Sequence, residues 1–564
     1  MITGAAFLPA LRNGFTWDDW GLIFQTIGYR GFDWRHLHWM VTTTHMSNYT
    51  PLAWLSYAGD YALFGLNPVG YHLTNVLLHA LNAVLFFRLS AELLKRSFPR
   101  EDESTTIACG AAFAALVFAL HPLRVESVAW AAERRDVLAG AFSLGALLFY
   151  VRAADARDAF RLRALSVACF AGAALSKATA VPLPAALVAL DLYPLKRLGA
   201  SVRELRARFI EKIPYAVISA ATALMAVRAQ LASSNFTPVA AHGLSSRLAQ
   251  SLYGAAFYVA KTLLPTSLYA LYPLERLSWH GPEVLGAAAV LVLAAVCGAA
   301  LGVEKKAQAA LWLFYLAMLS PVLGLLQNGP QLVALRYSYL ACLGWAALAG
   351  AAAVAALRLR RRNPLSGTAV LGLLGLWLVG NAWAAQRQIP LWRDDRTLWE
   401  GVLNRYPLSP EANENFAEGL LQENDPVGAE KYARASLMIS PDERNALRTL
   451  SKALLAQGRT IETREMLEGA TTAVPDWGEG HALLGFLLSQ EGRGNEALPH
   501  LLRAAELLPA SAETQANTGA SLAVRGRFAE ALPYYERAAK LDPAYAPALE
   551  HVRRDLQNSG VNAR

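Results

Sequence analysis

Long apolar runs separated by short polar breaks fill the first two thirds of the chain. Runs at about 69–89, 107–120, 137–151, 162–175, 178–192, 213–227, 284–303, 309–326, 337–357 and 369–385 read as membrane helices. A full crossing takes about 20 apolar residues, and the shorter runs suit a thick bundle with re-entrant ends. Segment 248–264 is amphipathic and reads as lying along the outer surface. Residues 1–11 are apolar but too short to cross, and they lack the basic start and cleavage site of a signal peptide. The expectation is a truncated first span, giving about eleven spans. Between it and the first full run lies a polar, aromatic stretch, 12–68, with Trp17, Trp20, Trp34, Trp39 and Trp54. That composition predicts a large loop at the membrane interface.

The pattern changes near residue 391. Pro407, Pro441, Pro475, Pro509 and Pro543 recur at a fixed period of 34. Small residues hold fixed places within each period: Ala417, Ser451, Gly485 and Gly519, then Ala429, Thr463, Ala497 and Ala531. This is the tetratricopeptide pattern, two antiparallel helices per repeat with small residues where they cross. It predicts repeats at 407–440, 441–474, 475–508 and 509–542 and a capping helix at 543–556. The expected architecture is all-α: a polytopic membrane domain (1–390) followed by a repeat α-solenoid (391–564).

Composition agrees with a fusion. Hydrophobic residues make up 54% and charged residues 17% of the 564, too apolar for a soluble chain and too charged for one buried wholly in lipid. Residues 392–564 carry 19 Lys+Arg against 25 Asp+Glu, and the preceding chain carries 33 against 19. The basic membrane part points to anionic lipid or phosphate and not to nucleic acid. Lys and Arg crowd the loops at 152–163, 196–212, 304–306 and 358–362. Placing those in the cytoplasm puts 12–68, 121–135, 176–177, 229–247, 262–282, 327–336 and everything after 386 outside. The four cysteines, Cys109, Cys169, Cys297 and Cys342, all lie in apolar runs and read as packing residues.

The outer segments hold the candidate chemistry. Asp18 and Asp19 are adjacent carboxylates in the loop 12–68. A carboxylate beside an acceptor hydroxyl can take its proton, and two so close can titrate as a pair; the plain alternative is a helix N-cap. The stretch 121–136, HPLRVESVAWAAERRD, packs ionisable residues at a span's outer end, where they are costly unless paired or functional. Glu126 is a further candidate acid; Arg134 and Arg135 are candidate phosphate ligands because guanidinium matches phosphate geometry. Lys177, Lys261, Arg336 and Tyr337 stand at similar outer positions, with snorkelling to the headgroups as the plain alternative. Together such cations would offset the charge of a leaving phosphate. A divalent cation near Asp18 and Asp19 is open, though no further ligand cluster lies nearby.

Several stretches resemble the transmembrane and tetratricopeptide-repeat-containing family, which are GT-C-fold, protein O-mannosyltransferase-like glycosyltransferases. They are NGFTWDDW at 13–20, TTTH at 42–45, TPLAWLS at 50–56, LFGLNP at 63–68 and YHLTNVLLHALN at 71–82, followed by 121–136, 176–184, 191–195, 336–340 and 392–394. The resemblance follows the whole chain in order. It implies a bacterial inner-membrane enzyme whose repeat domain is extracytoplasmic. It further implies a polyprenyl-phosphate-linked sugar donor, inversion at the sugar, a protein or peptide acceptor held by the repeats, and Asp18 and Asp19 as the loop's catalytic acids. Departures are Leu335, where relatives commonly carry an acid, and Arg135 before Asp136, where they often carry lysine. The rival reading is a non-catalytic membrane-anchored repeat scaffold for envelope assembly. A transporter is weaker, since the spans show no internal repeat.

Overall fold

The computed structural model describes residues 1–99, 104–199, 201–231, 243–325, 327 and 329–558. The middle of the expected outer segment 229–247 therefore lies outside the described residues, as do positions 326 and 328. The described chain is almost wholly helical and divides into two compact units, Met1–Val402 and Leu403–Arg564. Residues 391–402 thus belong with the first unit, because Trp392, Leu398, Trp399 and Val402 are buried in it.

Among the described residues of the first unit, six helices are long and apolar enough to cross a membrane: Pro68–Ser97, Ala131–Ala153, Ala159–Ser176, Pro282–Ala300, Leu343–Arg362 and Pro364–Trp392. Two bent pairs raise the number to eight: Ser104–Leu120 with Pro122–Ala129 at 56°, and Val202–Ile210 with Ile213–Leu231 at 47°. The expected eleven exceeds this for a physical reason: apolar helices such as Leu183–Leu192 and Lys305–Leu319 have only 10 and 15 residues. Close crossings use glycine. A Cβ on Gly350 would sit 2.7 Å from the carbonyl oxygen of Gly110, so Ser104–Leu120 and Leu343–Arg362 meet backbone to backbone.

The stretch 12–68 is more ordered than a loop. It contains the helices Trp34–Thr42 and Pro51–Phe64. Leu244–Leu263, the amphipathic segment, buries Arg247, Gln250 and Tyr258 within the unit. A two-stranded antiparallel ladder pairs Tyr272–Pro273 with Gln331–Val333. Next to it, the Tyr258 hydroxyl donates to the carbonyl of Ala334 at 2.9 Å and accepts from its N–H at 3.2 Å. This fixes the backbone two residues before Arg336.

The second unit is the predicted array: Pro410–Gln422 with Pro426–Ile439, Arg444–Ala456 with Thr460–Ala473, Gly478–Gln490 with Gly494–Leu507, and Ala512–Ala523 with Phe528–Leu541. Ala546–Asn558 closes it. The small positions are where the helices cross: a Cβ on Gly485 would lie 2.7 Å from Leu501, and one on Gly519 2.9 Å from Tyr535. The turn between the paired helices needs a left-handed residue in every repeat. Asn424 supplies it at φ 60°, then Gly458, Gly492 and Gly526 at 72–75°.

Candidate active site

The stretch 121–136 folds into a compact corner. The His121 ring accepts from the N–H of Leu123, a turn follows at Pro122–Arg124, and Val125–Ala129 forms a short helix. A second turn, Ala131–Glu133, leads into Arg134–Ala153. Buried polar side chains satisfy this irregular backbone, as they must where water is excluded. Asn75 donates to the carbonyls of Val128 and Trp130, and the Tyr57 hydroxyl to those of Ala131 and Ala132.

The corner gathers charge from distant segments. Glu126, fully buried, accepts from Nη1 of Arg336 at 2.5 Å and from its backbone N–H at 3.2 Å. Glu133 faces Arg135 at 3.0 Å, Lys177 at 2.5 Å and Arg336 at 3.7 Å. Asp136 pairs with Lys177 at 2.8 Å and accepts from Ser127. Three carboxylates therefore meet three cations. The guanidinium of Arg336 also lies 5.6 Å from the Trp130 ring and 5.0 Å from the Tyr337 ring.

The two adjacent aspartates do different work. Asp19 is fully buried and accepts from the N–H of Thr16 at 3.0 Å and of Ala132 at 2.6 Å. It ties the first loop to the charged corner. Burial raises its carboxyl well above the ordinary value, against those two backbone hydrogen bonds. Asp18 is half-buried, and its carboxylate makes no hydrogen bond or ion pair among the described residues. Burial raises its pKa too; Arg135 and Arg336 pull it back, and Glu133 raises it further. Asp18 is thus an unengaged carboxylate in the field of this cluster.

Aromatic rings hold that loop. Trp17 has a left-handed backbone, φ 53°, and stacks on Trp130 at 4.7 Å. Trp392 stacks on Trp130 at 5.2 Å, and Trp399 meets Trp17 edge-on at 5.0 Å. The carboxylate of Asp395 accepts from the N–H of Trp17 and from Nε1 of Trp20.

Of the residues expected from the sequence, Asp18, Asp19, Glu126, Arg135, Lys177, Arg336 and Tyr337 come together. Arg134 does not join them as a phosphate ligand. It is fully buried and spends its donors on Asp60 at 2.6 Å, Ser56, Tyr71 and Asn75, with the Tyr57 ring 5.2 Å away. Lys261 also stands apart, bonded to the carbonyl of Thr266. Four acids that pair with residues in and around this corner were not singled out from the sequence: Asp60, Glu133, Asp136 and Asp395. Asp60 carried a readable signal, a lone charge within the otherwise apolar helix Pro51–Phe64. Among the described residues no group of three or more His, Cys, Asp or Glu is placed to hold a metal ion.

Two cavities adjoin the corner. A small one opens between Asp136, Thr179, Arg336, Tyr337, Tyr339 and Leu340. A larger apolar one of 1120 Å³ starts near Leu343 and Thr262 and continues past Leu359, Tyr193 and Ser97. From Leu343 to Leu359 a helix rises about 24 Å, most of a bilayer core of about 30 Å.

No family model matches the chain. Over 131 residues it is 39% identical to protein O-mannosyl-transferase TMTC2 of Mus musculus, which is 22% of this chain and 14% of that protein. It is 33% identical over 105 residues to protein O-mannosyl-transferase TMTC3 of Homo sapiens (19% and 10%) and 33% over 126 residues to TMTC4 of Homo sapiens (21% and 17%). The chain therefore spans a small part of the length of these curated relatives. Among solved structures it is similar to YrrB, a tetratricopeptide protein with an unusual peptide-binding site, at a TM-score of 0.26 and 23% identity over 28% of this chain and 83% of that one. MamA gives 0.24 and 15% over 27% and 88%.

Proposed function

We propose that this chain is a multi-pass membrane glycosyltransferase that moves a sugar, with inversion, from a polyprenyl-phosphate carrier to a protein hydroxyl. The observation that carries the reading is the unengaged Asp18 carboxylate beside a buried cluster of Arg135, Lys177 and Arg336. In this reading Asp18 takes the proton of the acceptor hydroxyl as its oxygen attacks the anomeric carbon. The bond from that carbon to the phosphate oxygen breaks on the opposite face, and the phosphate leaves with the electron pair. Arg336 and Asp136 border the small cavity; Arg336 and Lys177, held by Glu126, Glu133 and Asp136, would receive the phosphate charge. The apolar cavity beyond Leu340 is the natural course for an isoprenoid tail. Similarity to protein O-mannosyl-transferases supports a protein acceptor, and the repeat array is the surface that would present it. We place the active site and the repeats on the extracytoplasmic face of a bacterial inner membrane.

The test is transfer from a polyprenyl-phosphate sugar to membrane-extract proteins by the full chain in vesicles. Asp18→Asn is expected to lower the rate by about 10²–10⁴. Undiminished transfer removes Asp18 as the base. Transfer from a nucleotide sugar with none from the lipid carrier removes the donor assignment.

A further inference from the structure

The opposite end of the membrane unit carries an amphipathic corner that the transfer reaction does not use. Helix Val202–Ile210 buries none of its own residues. Val202, Leu205 and Phe209 recur at spacings of three and four and so share a face. Val202 is 81% exposed, Phe209 60% and Ile210 52%. The first turn of the neighbouring helix Ala159–Ser176 adds Phe160, 84% exposed. Apolar side chains this open are unstable in water, so the surface is built for a partner.

An ion network centred on the buried acids Glu211 and Asp191 holds the two segments together. Glu211 accepts from Arg197 at 2.7 Å and Arg208 at 2.9 Å and forms an ion pair with Arg163 at 3.0 Å. Asp191 takes Lys212 at 2.5 Å and the Tyr150 hydroxyl at 2.8 Å. The helix then bends by 47° into the apolar helix Ile213–Leu231. It therefore leaves the membrane body at an angle, at the end richest in Lys and Arg.

Around the apolar face stand Arg157, Arg161, Arg203 and Arg206, none of them in a salt bridge among the described residues. The nearby acids are fewer: Asp155 is paired with Arg96, Asp158 caps the N–H of Arg161, and Glu204 is exposed. Apolar residues set among unpaired arginines match the acyl edge and phosphodiester layer of an anionic leaflet. We propose that Val202–Ile210 and residues 157–163, which lead into the helix Ala159–Ser176, form a binding surface for anionic phospholipid. Phe160, Val202, Phe209 and Ile210 enter the acyl boundary, and Arg157, Arg161, Arg203 and Arg206 hold the headgroups.

The test uses the full chain with its four cysteines replaced by alanine and a fluorophore on Phe209→Cys, reconstituted in mixed vesicles. Brominated phosphatidylglycerol is expected to quench it more strongly than brominated phosphatidylcholine at the same fraction. Arg203→Gln and Arg206→Gln, both exposed and unpaired, should each lower that preference by about fivefold, and high salt should do the same. Equal quenching by the two lipids overturns the proposal. So does quenching by aqueous iodide in place of lipid bromine, which puts residue 209 in water. Loss of the preference on adding inorganic phosphate also overturns it, because the ligand is then a free anion.

Discussion

The carboxylate of Asp395 accepts a hydrogen bond from the backbone N–H of Trp17 at 2.7 Å, across 378 residues of chain. Its second oxygen takes Nε1 of Trp20 at 2.8 Å. The clamp spans the residue that carries the proposed base. A non-glycine residue at φ 53° costs about 1–3 kcal/mol and persists only where its surroundings over-determine it. Asp395→Asn keeps one acceptor oxygen and so loses one of the two contacts. We expect transfer to fall by about 10–100-fold in kcat with KM nearly unchanged, as for a displaced base. Steady-state kinetics on the full chain checks it; an unchanged kcat means the clamp does not position Asp18.

Asp18 and Asp19 separate cleanly under substitution. Asp19→Asn leaves a buried N–H facing an amide donor and should cost about 1–3 kcal/mol, read as a lower unfolding temperature. Asp18→Asn loses no contact and should unfold as the parent does while losing activity. The pH profile adds a signed test. Asp18 is raised in the folded protein, and the base must be ionised. The acid limb of kcat/KM therefore lies above the usual carboxylate value near 4. Arg135→Gln removes a charge that favours the carboxylate and should move the limb up. Glu133→Gln removes one that opposes it and should move the limb down.

Arg134 and Asp60 form a buried pair at 2.6 Å. Removing one partner strands the other charge away from water, at about 3–5 kcal/mol. Arg134→Gln and Asp60→Asn should both lower the yield of folded protein sharply. The double change should recover part of it, as measured by detergent-extracted monodisperse protein.

The repeat array holds two opposed titrations. Burial pushes Glu414 up to about 7, against Arg448. The folded array takes its proton near pH 7 and the unfolded chain near 4.5, so this group adds stability as pH falls through that window. His481 and His500 lie ring to ring, Nδ1 to Nδ1 at 2.9 Å, and burial lowers both. Below about pH 6.5 the unfolded chain binds protons that the folded pair resists, so stability falls. Glu414→Gln should therefore stabilise the array at pH 8 and do little at pH 5. His481→Gln should flatten its acid loss. Hydrogen exchange of the repeat amides across pH 5–8 reads both effects.

The sequence made the scaffold plain and the pairings obscure. A period of 34 needs only local contacts, so Pro407 to Pro543 and the small crossing residues were readable by counting. The candidate loop was readable because acids and tryptophans are conspicuous beside apolar runs. Its division of labour was not: whether Asp18 or Asp19 stays unengaged depends on the N–H of Ala132, more than a hundred residues away. Arg134 and Arg135 look alike in sequence, yet helix geometry turns the first toward Asp60 and the second toward Glu133. The expected spans outnumber the helices long and apolar enough to cross because a hydropathy run does not show where a helix stops: Leu183–Leu192 has 10 residues and Lys305–Leu319 has 15.

The even match of Glu126, Glu133 and Asp136 against Arg135, Lys177 and Arg336 sets a condition on any phosphate that arrives. Each cation is already neutralised, so an incoming dianion or monoanion must compete with a resident acid and not fill an electropositive void. A displaced carboxylate left in a water-poor corner gains stability by picking up a proton. By linkage, binding of a phosphate-bearing donor there would be coupled to proton uptake, and affinity for the charged head would rise as the solution grows more acidic. Release of the spent carrier would return that proton, making the corner a proton-coupled latch.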